Sequence, residues 1–236
     1  MTQHHENCLL LFVKYPEKGQ VKHRLSVDLD EQLVQELYRC FVQDTLATVN
    51  TMSPEVFICF LPVNAESKFR GWLGTSHPFL PQEGADLGER MKNCFSQVFA
   101  RGFQQAILMG SDSPDIPATF LHNAFAELRR HEVVIGPSSD GGYYLIGFQS
   151  TSFDPSVFED IPWSSPTVLR ETLRKIKQKN HRVSLLPAWS DVDTIADLKN
   201  LWKRNKNTAF KSSKTITFLR QNKILAEVDD DAKPKK

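Results

Sequence analysis

The chain has 236 residues, 40% of them hydrophobic and 24% charged, with a formal net charge of +1, so it can bury a substantial core and has the composition of an ordinary globular protein. No apolar run approaches the ~20 residues that cross a bilayer, and residues 1–7 lack the cationic start and apolar stretch of a secretory signal. Residues 203–236 hold ten Lys/Arg against four Asp/Glu, leaving 19 basic and 24 acidic residues in the body, a balance that argues against a nucleic-acid surface over the whole fold.

Apolar runs at Cys8–Val13, Val56–Leu61, Ala106–Met109, Val133–Ile135, Tyr143–Phe148 and Val183–Leu186 read as strands. Several are continuously apolar, as expected where both faces are covered. Helical patterns lie between them. Leu33, Leu37, Phe41, Leu46 and Val49 mark one apolar face over 31–49, and Leu87, Met91, Phe95, Val98 and Phe99 do so over Asp86–Ala100. Pro117–Arg130 opens with proline at a plausible first helical position, Ser165-Pro166 caps a helix through Val168 and Ile176, and Asp193-Thr194 leads into one through Leu198 and Leu201. Strands alternating with helices predict an α/β fold with a mainly parallel sheet. One domain is expected over 1–202, then a C-terminal extension at 203–227 with one short helix near Thr215–Leu225, then a disordered tail at 228–236. The four cysteines, Cys8, Cys40, Cys59 and Cys94, have neither zinc-ligand spacing nor the density of a disulfide scaffold, so buried thiols in a reducing cytoplasm are expected.

Chemistry concentrates in the segments after the strands, where open α/β sheets bind ligands. Lys14, Lys18, Lys22 and Arg24 follow the first run, and Gly19 permits a sharp turn among them. Such a loop suits phosphate oxygens, with Arg24 able to make two parallel bonds; a solvated basic loop is the plain alternative. Neither GxxxxGK(S/T) nor GxGxxG is present. Gly110-Ser111-Asp112-Ser113-Pro114-Asp115 follows the third run and places Asp112 at the edge of the sheet. A magnesium ion needs only one or two carboxylates plus substrate phosphates, so Asp112 is the first candidate ligand, and Asp115 either a weaker one or a helix cap. Asp191-Val192-Asp193-Thr194 offers a second carboxylate. Alternation in an extended segment turns only one of Asp191 and Asp193 to the metal, and Asp193 is also a good helix cap.

Asp140-Gly141-Gly142 is a turn between two strands, sufficient for a hairpin. Its glycines also admit a ligand close to the backbone, and Tyr143 or Tyr144 can meet a sugar. The segment 82–91 opens a helix with acids in its first turn, which favours capping, while Arg90 can reach a phosphate. Trp163 lines an acceptor pocket or packs in the core.

Taken together, Phe12-Val13-Lys14-Tyr15-Pro16, Gly19 to Leu25, Gln82 to Met91, Gly110 to Asp115, Gly136 to Gly147, Ile161 to Pro166 and Asp191 to Thr194 resemble a bacterial family of GT-A-type glycosyltransferases, often of arsenosugar-biosynthesis type and formerly a domain of unknown function. The resemblance runs in order over about residues 8–200; His23 departs from it, standing where the family usually has threonine. The basic loop is also similar to that of 2-phospholactate guanylyltransferase and, more distantly, of the molybdenum cofactor guanylyltransferase. The resemblance implies a nucleotide-diphospho-sugar transferase fold with Mg²⁺ or Mn²⁺ held between donor phosphates and Asp112.

The expected function is therefore metal-dependent glycosyl transfer from a nucleoside-diphosphate sugar to a small acceptor. Lys14, Gly19, Lys22, Arg24 and Arg90 would bind the phosphates and Asp112 and Asp193 the metal. Gly141, Gly142, Tyr143 and Trp163 would meet sugar or acceptor, and Asp140 would act as base. Nucleotidyl transfer from a nucleoside triphosphate to a phosphorylated small molecule is the alternative, and a nucleotide-binding regulator without turnover is the third. No nucleic-acid partner and no membrane span are expected.

Overall fold

A computed structural model describes residues 6–224. Residue contacts group them into two compact units. The first comprises residues 6–15, Val49–Ser111 and Pro117–Ser190, and the second Pro16–Thr48, Asp112–Ile116 and 191–224.

The first unit carries the whole sheet. Its strands are β1 (Asn7–Lys14), β2 (Glu55–Leu61), β3 (Phe79–Pro81), β4 (Gln105–Gly110), β5 (Val133–Pro137), β6 (Tyr143–Gln149) and β7 (Val183–Leu185), in the order β3-β2-β1-β4-β6-β5-β7. Only β6 runs against its neighbours; the other pairs are parallel. The mainly parallel sheet expected from the continuous apolar runs is thus present, and β1 and β4 are buried along nearly their whole length. The order turns at β1: β2 and β3 lie on one side and β4 on the other, the arrangement whose crevice at the carboxyl ends binds ligands in this class of sheet.

Helices α2 (Glu66–Leu73), α3 (Leu87–Ala100), α4 (Ala118–Leu128) and α5 (Val168–Gln178) belong to the same unit. The α3 face of Met91, Cys94, Phe95 and Val98 is buried in the sheet's core. There the Phe95 ring meets Phe148 edge-on at 5.1 Å and stacks on Phe158 at 6.1 Å, each fully buried ring contributing about 1.5–3 kcal/mol. Asp86 starts α3 by accepting the Glu89 amide at 2.8 Å, so the acids before this helix do serve as its cap. Pro117 precedes α4 as its cap residue without a side-chain bond, so the helix begins at Ala118, one residue later than expected. Thr167, not Ser165, takes the cap position of α5.

One strand and one α-helix escape the sequence patterns. β3 is three residues long and includes Pro81, and α2 has eight residues and no side-chain cap, too little of either for a periodicity to register.

The second unit is helical: α1 (Glu31–Val49, from this unit as far as Thr48), a helical turn at Leu25–Val27, α6 (Ile195–Asn205) and α7 (Lys214–Gln221). Of the segment expected as an extension, 203–227, the described residues 203–224 group with this unit. Asp44 on α1 accepts the amides of Lys214 at 2.9 Å and Thr215 at 2.7 Å, satisfying two of the unpaired donors that open α7. Arg220 lies 4.7 Å over the Trp202 ring, and Ile216 and Leu219 are fully buried. The tail expected to be disordered, 228–236, lies outside the described residues. No helix among those described is long and apolar enough to cross a membrane.

Candidate active site

The loops that carry Lys14 to Arg24 and Asp112 leave adjacent parallel strands. Phe12 of β1 is paired with Gly110 of β4, so Lys14 and Asp112 each follow a paired position by two residues. Past Tyr15 the first loop belongs to the second unit, where the Gln20 amide donates to the Glu17 carbonyl at 3.0 Å. Gly19 holds φ +70 within that turn, in the left-handed region that favours glycine. Gln35 Nε2 donates to the Pro16 carbonyl at 2.5 Å and fastens the loop to α1.

Lys22 comes next, and it too has positive φ, +50. A residue with a Cβ pays about 1–2 kcal/mol for that conformation, so the surroundings must hold it. The Lys22 carbonyl accepts the Leu25 amide at 2.9 Å, and its side chain is gripped as well. Only 4% of the Lys22 side chain is exposed, and its Nζ lies 2.6 Å from Asp112 Oδ1 and 2.8 Å from Asp193 Oδ1. The ammonium also stands 5.9 Å over the centre of the Phe41 ring. Burial alone would push its pKa down, but Asp112 and then Asp193 outweigh it, and the net shift is upward. Lys22 therefore stays charged at every physiological pH.

The two carboxylates differ from their lysine in exposure. Asp112 and Asp193 side chains are 48% and 38% exposed, and Arg24 Nη1 approaches Asp193 Oδ2 at 3.9 Å from solvent. The Val192 amide donates to the Asp112 carbonyl at 2.9 Å and ties the two acidic segments together. Asp193 is free of capping because Thr194 and Asp197 form a reciprocal cap at the start of α6. Asp191 has a different hydrogen-bond partner: Ser113 Oγ donates to its Oδ1 at 2.6 Å. Burial, and then the charge of Asp112, raise its pKa to about 6 against the opposing pull of Ser113 and Lys22.

Oxygen donors of this kind suit Mg²⁺ or Mn²⁺. Among the described residues no group of three or more His, Cys, Asp and Glu is arranged to hold a metal by itself. Asp112 and Asp193 would supply two carboxylates, with water and substrate phosphates completing the shell, which is how magnesium is commonly bound.

Asp115 has a different task. Its buried carboxylate accepts Arg204 Nε at 2.6 Å, Arg204 Nη2 at 2.8 Å and Asn205 Nδ2 at 2.5 Å. It anchors the end of α6, and neither a ligand role nor the cap considered for it applies.

The remaining candidates lie in the sheet unit. Asp140 Oδ1 accepts the Gly142 amide at 3.0 Å and so closes the turn of the β5–β6 hairpin. Gly141 has φ +92, and a Cβ there would lie 2.2 Å from the Pro166 carbonyl oxygen; its own carbonyl accepts the Leu169 amide at 2.9 Å. Close approach of the chain to itself thus accounts for this glycine. Tyr143 turns its hydroxyl inward, where burial raises its pKa against the opposing influence of Thr172, and it offers no hydroxyl to a sugar at the surface. Trp163 packs its indole against Gly88, whose Cβ position would be 2.8 Å from the ring. Arg90 Nε donates to the Gly84 carbonyl at 3.1 Å, and Lys14 ends β1 exposed.

Gln82, at the start of the 82–91 segment, is buried and donates to the Cys59 carbonyl at 2.6 Å, joining the carboxyl end of β2 to the segment after β3. The roles of Asp44 and Ser113 also went unread. Asp44 had a signal: a carboxylate three residues after Phe41, on the apolar stripe of a long helix.

Residues 45–165 match the family described as "uncharacterized protein conserved in bacteria (DUF2064)". The chain belongs to this family. A solved structure of a proposed nucleotide-diphospho-sugar transferase from Desulfovibrio desulfuricans G20 is similar over 94% of this chain and 97% of that one, at 43% identity and a TM-score of 0.90. The 4-diphosphocytidyl-2C-methyl-D-erythritol synthase of Anaerococcus prevotii is similar over 85% of this chain and 99% of its own, at 10% identity and a TM-score of 0.54. Rv0371c of Mycobacterium tuberculosis, solved in complex with manganese, is similar over 84% and 98%, at 15% identity and 0.50. The last two likenesses concern the fold alone. No curated protein matches the sequence. The α/β fold is that of nucleotide-diphospho-sugar transferases.

Proposed function

We propose that this protein is a metal-dependent glycosyltransferase that moves a sugar from a nucleoside-diphosphate sugar to a small acceptor. One observation carries the reading: a buried lysine ammonium shared by two half-exposed carboxylates, the three residues standing in segments that follow β1, β4 and β7 along the chain. Fixed positive and negative groups side by side suit a diphosphate that arrives with a divalent ion, and suit few other small ligands. The 43%-identical relative is itself described as such a transferase, and manganese occurs in one protein of the same fold.

Lys22 and Arg24 bind diphosphate oxygens, and Asp112 and Asp193 hold the metal. When bound, the metal supplies positive charge to the departing diphosphate. The bond from the anomeric carbon to the diphosphate breaks, the acceptor oxygen bonds to that carbon, and the acceptor's proton is released. A second reading has one specific support, the fold shared with a diphosphocytidyl-methylerythritol synthase. In nucleotidyl transfer a phosphorylated acceptor attacks the α-phosphate of a nucleoside triphosphate and pyrophosphate leaves; the same cluster serves both donors.

The products decide. Incubation with Mn²⁺ and panels of nucleotide sugars and nucleoside triphosphates, each with phosphorylated and free small acceptors, should release nucleoside diphosphate for the first reading. Pyrophosphate release would establish the second. Binding of nucleotide with neither product across the panels would leave a nucleotide-binding regulator.

A further inference from the structure

We propose that Lys22 is an internal cation that holds the Asp112–Asp193 pair closed to metal until donor phosphates draw its ammonium away, so that metal and donor bind as one coupled event. The proposal rests on reading these carboxylates as metal ligands and adds how the site is controlled. Nζ is within 2.8 Å of an oxygen from each carboxylate, so the space between them, where a divalent ion would contact both, is filled by the ammonium. A metal ion and an ammonium a few ångströms apart repel, and near a protein surface that repulsion amounts to kilocalories per mole. One of them must leave.

Three features make the lysine the movable partner. It stands on a loop, between Gly19 and the helical turn at Leu25–Val27, whereas Asp193 adjoins the capped start of α6. Its backbone has φ +50, a sparsely populated conformation that a released loop need not keep. Both carboxylates reach solvent while the ammonium does not, so a competing polyanion meets Arg24 first, three-quarters exposed beside Asp193. A diphosphate offers Lys22 a replacement for the two carboxylates and leaves them to the metal. Linkage then requires that phosphate raise metal affinity and metal raise phosphate affinity by the same factor.

The test titrates the full chain with Mn²⁺, following free ion by electron paramagnetic resonance, with and without inorganic pyrophosphate and corrected for Mn²⁺–pyrophosphate complexes. Wild type should bind Mn²⁺ weakly alone and about tenfold more tightly with pyrophosphate, within the usual range of coupling. Lys22→Met should bind Mn²⁺ alone about tenfold more tightly than wild type and lose most of the pyrophosphate enhancement, as a severed coupling requires. Equal or weaker Mn²⁺ binding by a folded Lys22→Met overturns the proposal while leaving the metal site intact. No Mn²⁺ binding by either protein, with or without pyrophosphate, overturns the metal reading itself and this proposal with it. Should Lys22→Met fail to fold, wild type decides through amine acylation read by mass spectrometry. Bound Mn²⁺ should speed modification of Lys22 relative to the other lysines, and an unchanged relative rate at saturating Mn²⁺ overturns the proposal.

Discussion

In the sheet unit the buried polar side chains, Gln82, Ser111, Ser138 and Thr172, are neutral, whereas the unit built on α1, α6 and α7 buries the carboxylates of Asp44 and Asp115 and, apart from these, the ammonium of Lys22. The sheet satisfies its backbone through its own ladder and needs few polar side chains inside. The helical unit is assembled from three separated stretches of chain, and charged groups join them: Asp44 to the start of α7, Asp115 to the end of α6, Lys22 to both acidic segments. Buried ions are costly unless fully paired, so each junction is specific. The candidate site is the junction whose carboxylates also reach solvent.

Breaking the most deeply buried junction should cost most. Asp115→Ala leaves Arg204 and Asn205 without their shared acceptor and should destabilise the protein by about 3–5 kcal/mol, the usual cost of removing one partner from a buried pair. Urea unfolding measures it, and a loss below 1 kcal/mol would mean the pair is not a structural tie.

Asp112→Asn should separate the site from the scaffold. It keeps the size and hydrogen bonding of the side chain but removes its charge, so turnover should fall by about 10²-fold or more, at least about 2.7 kcal/mol of barrier, while the fold survives. Near-normal activity with unchanged metal dependence would sink the assignment of Asp112 to the metal.

Arg24 lies at the exposed edge of the same junction. Arg24→Ala should weaken nucleoside-diphosphate binding by about 1.5 kcal/mol, the low end for a charged hydrogen bond, and leave free nucleoside unaffected. Calorimetry showing equal losses for both ligands would remove it from the phosphate site.

The smallest effect belongs to an ion pair on the sheet unit. Lys179, and then Ser156, hold the Asp154 carboxyl at about 2, below its ordinary 3.8. A depressed folded pKa gives stability that is full above the ordinary value and is lost as pH falls through about 2. Asp154→Asn should therefore cost about 0.5 kcal/mol at neutral pH, as for exposed pairs, and the gap to wild type should close between pH 4 and 2. A gap that persists at pH 2 would point to the cap on Ser156 instead of the charge.

Much of the sheet was legible because continuous burial writes itself as apolar runs: six of the seven strands stand where those runs are, and the helices with clear stripes begin within a residue or two of their expected starts. The candidate site was legible as residue types in the segments after strands. What could not be read was the assignment of each acid. Asp112, Asp115, Asp191 and Asp193 are chemically alike and stand close together within two short segments, yet one pair shares Lys22, one anchors Arg204 and one is buried against Ser113. Local sequence determined which segments become strands, helices and turns, because period and capping act over a few residues. Only the tertiary structure decided which carboxylate meets which cation, because those partners come from segments up to 171 residues apart and their choice depends on where the folded chain brings charge together out of water.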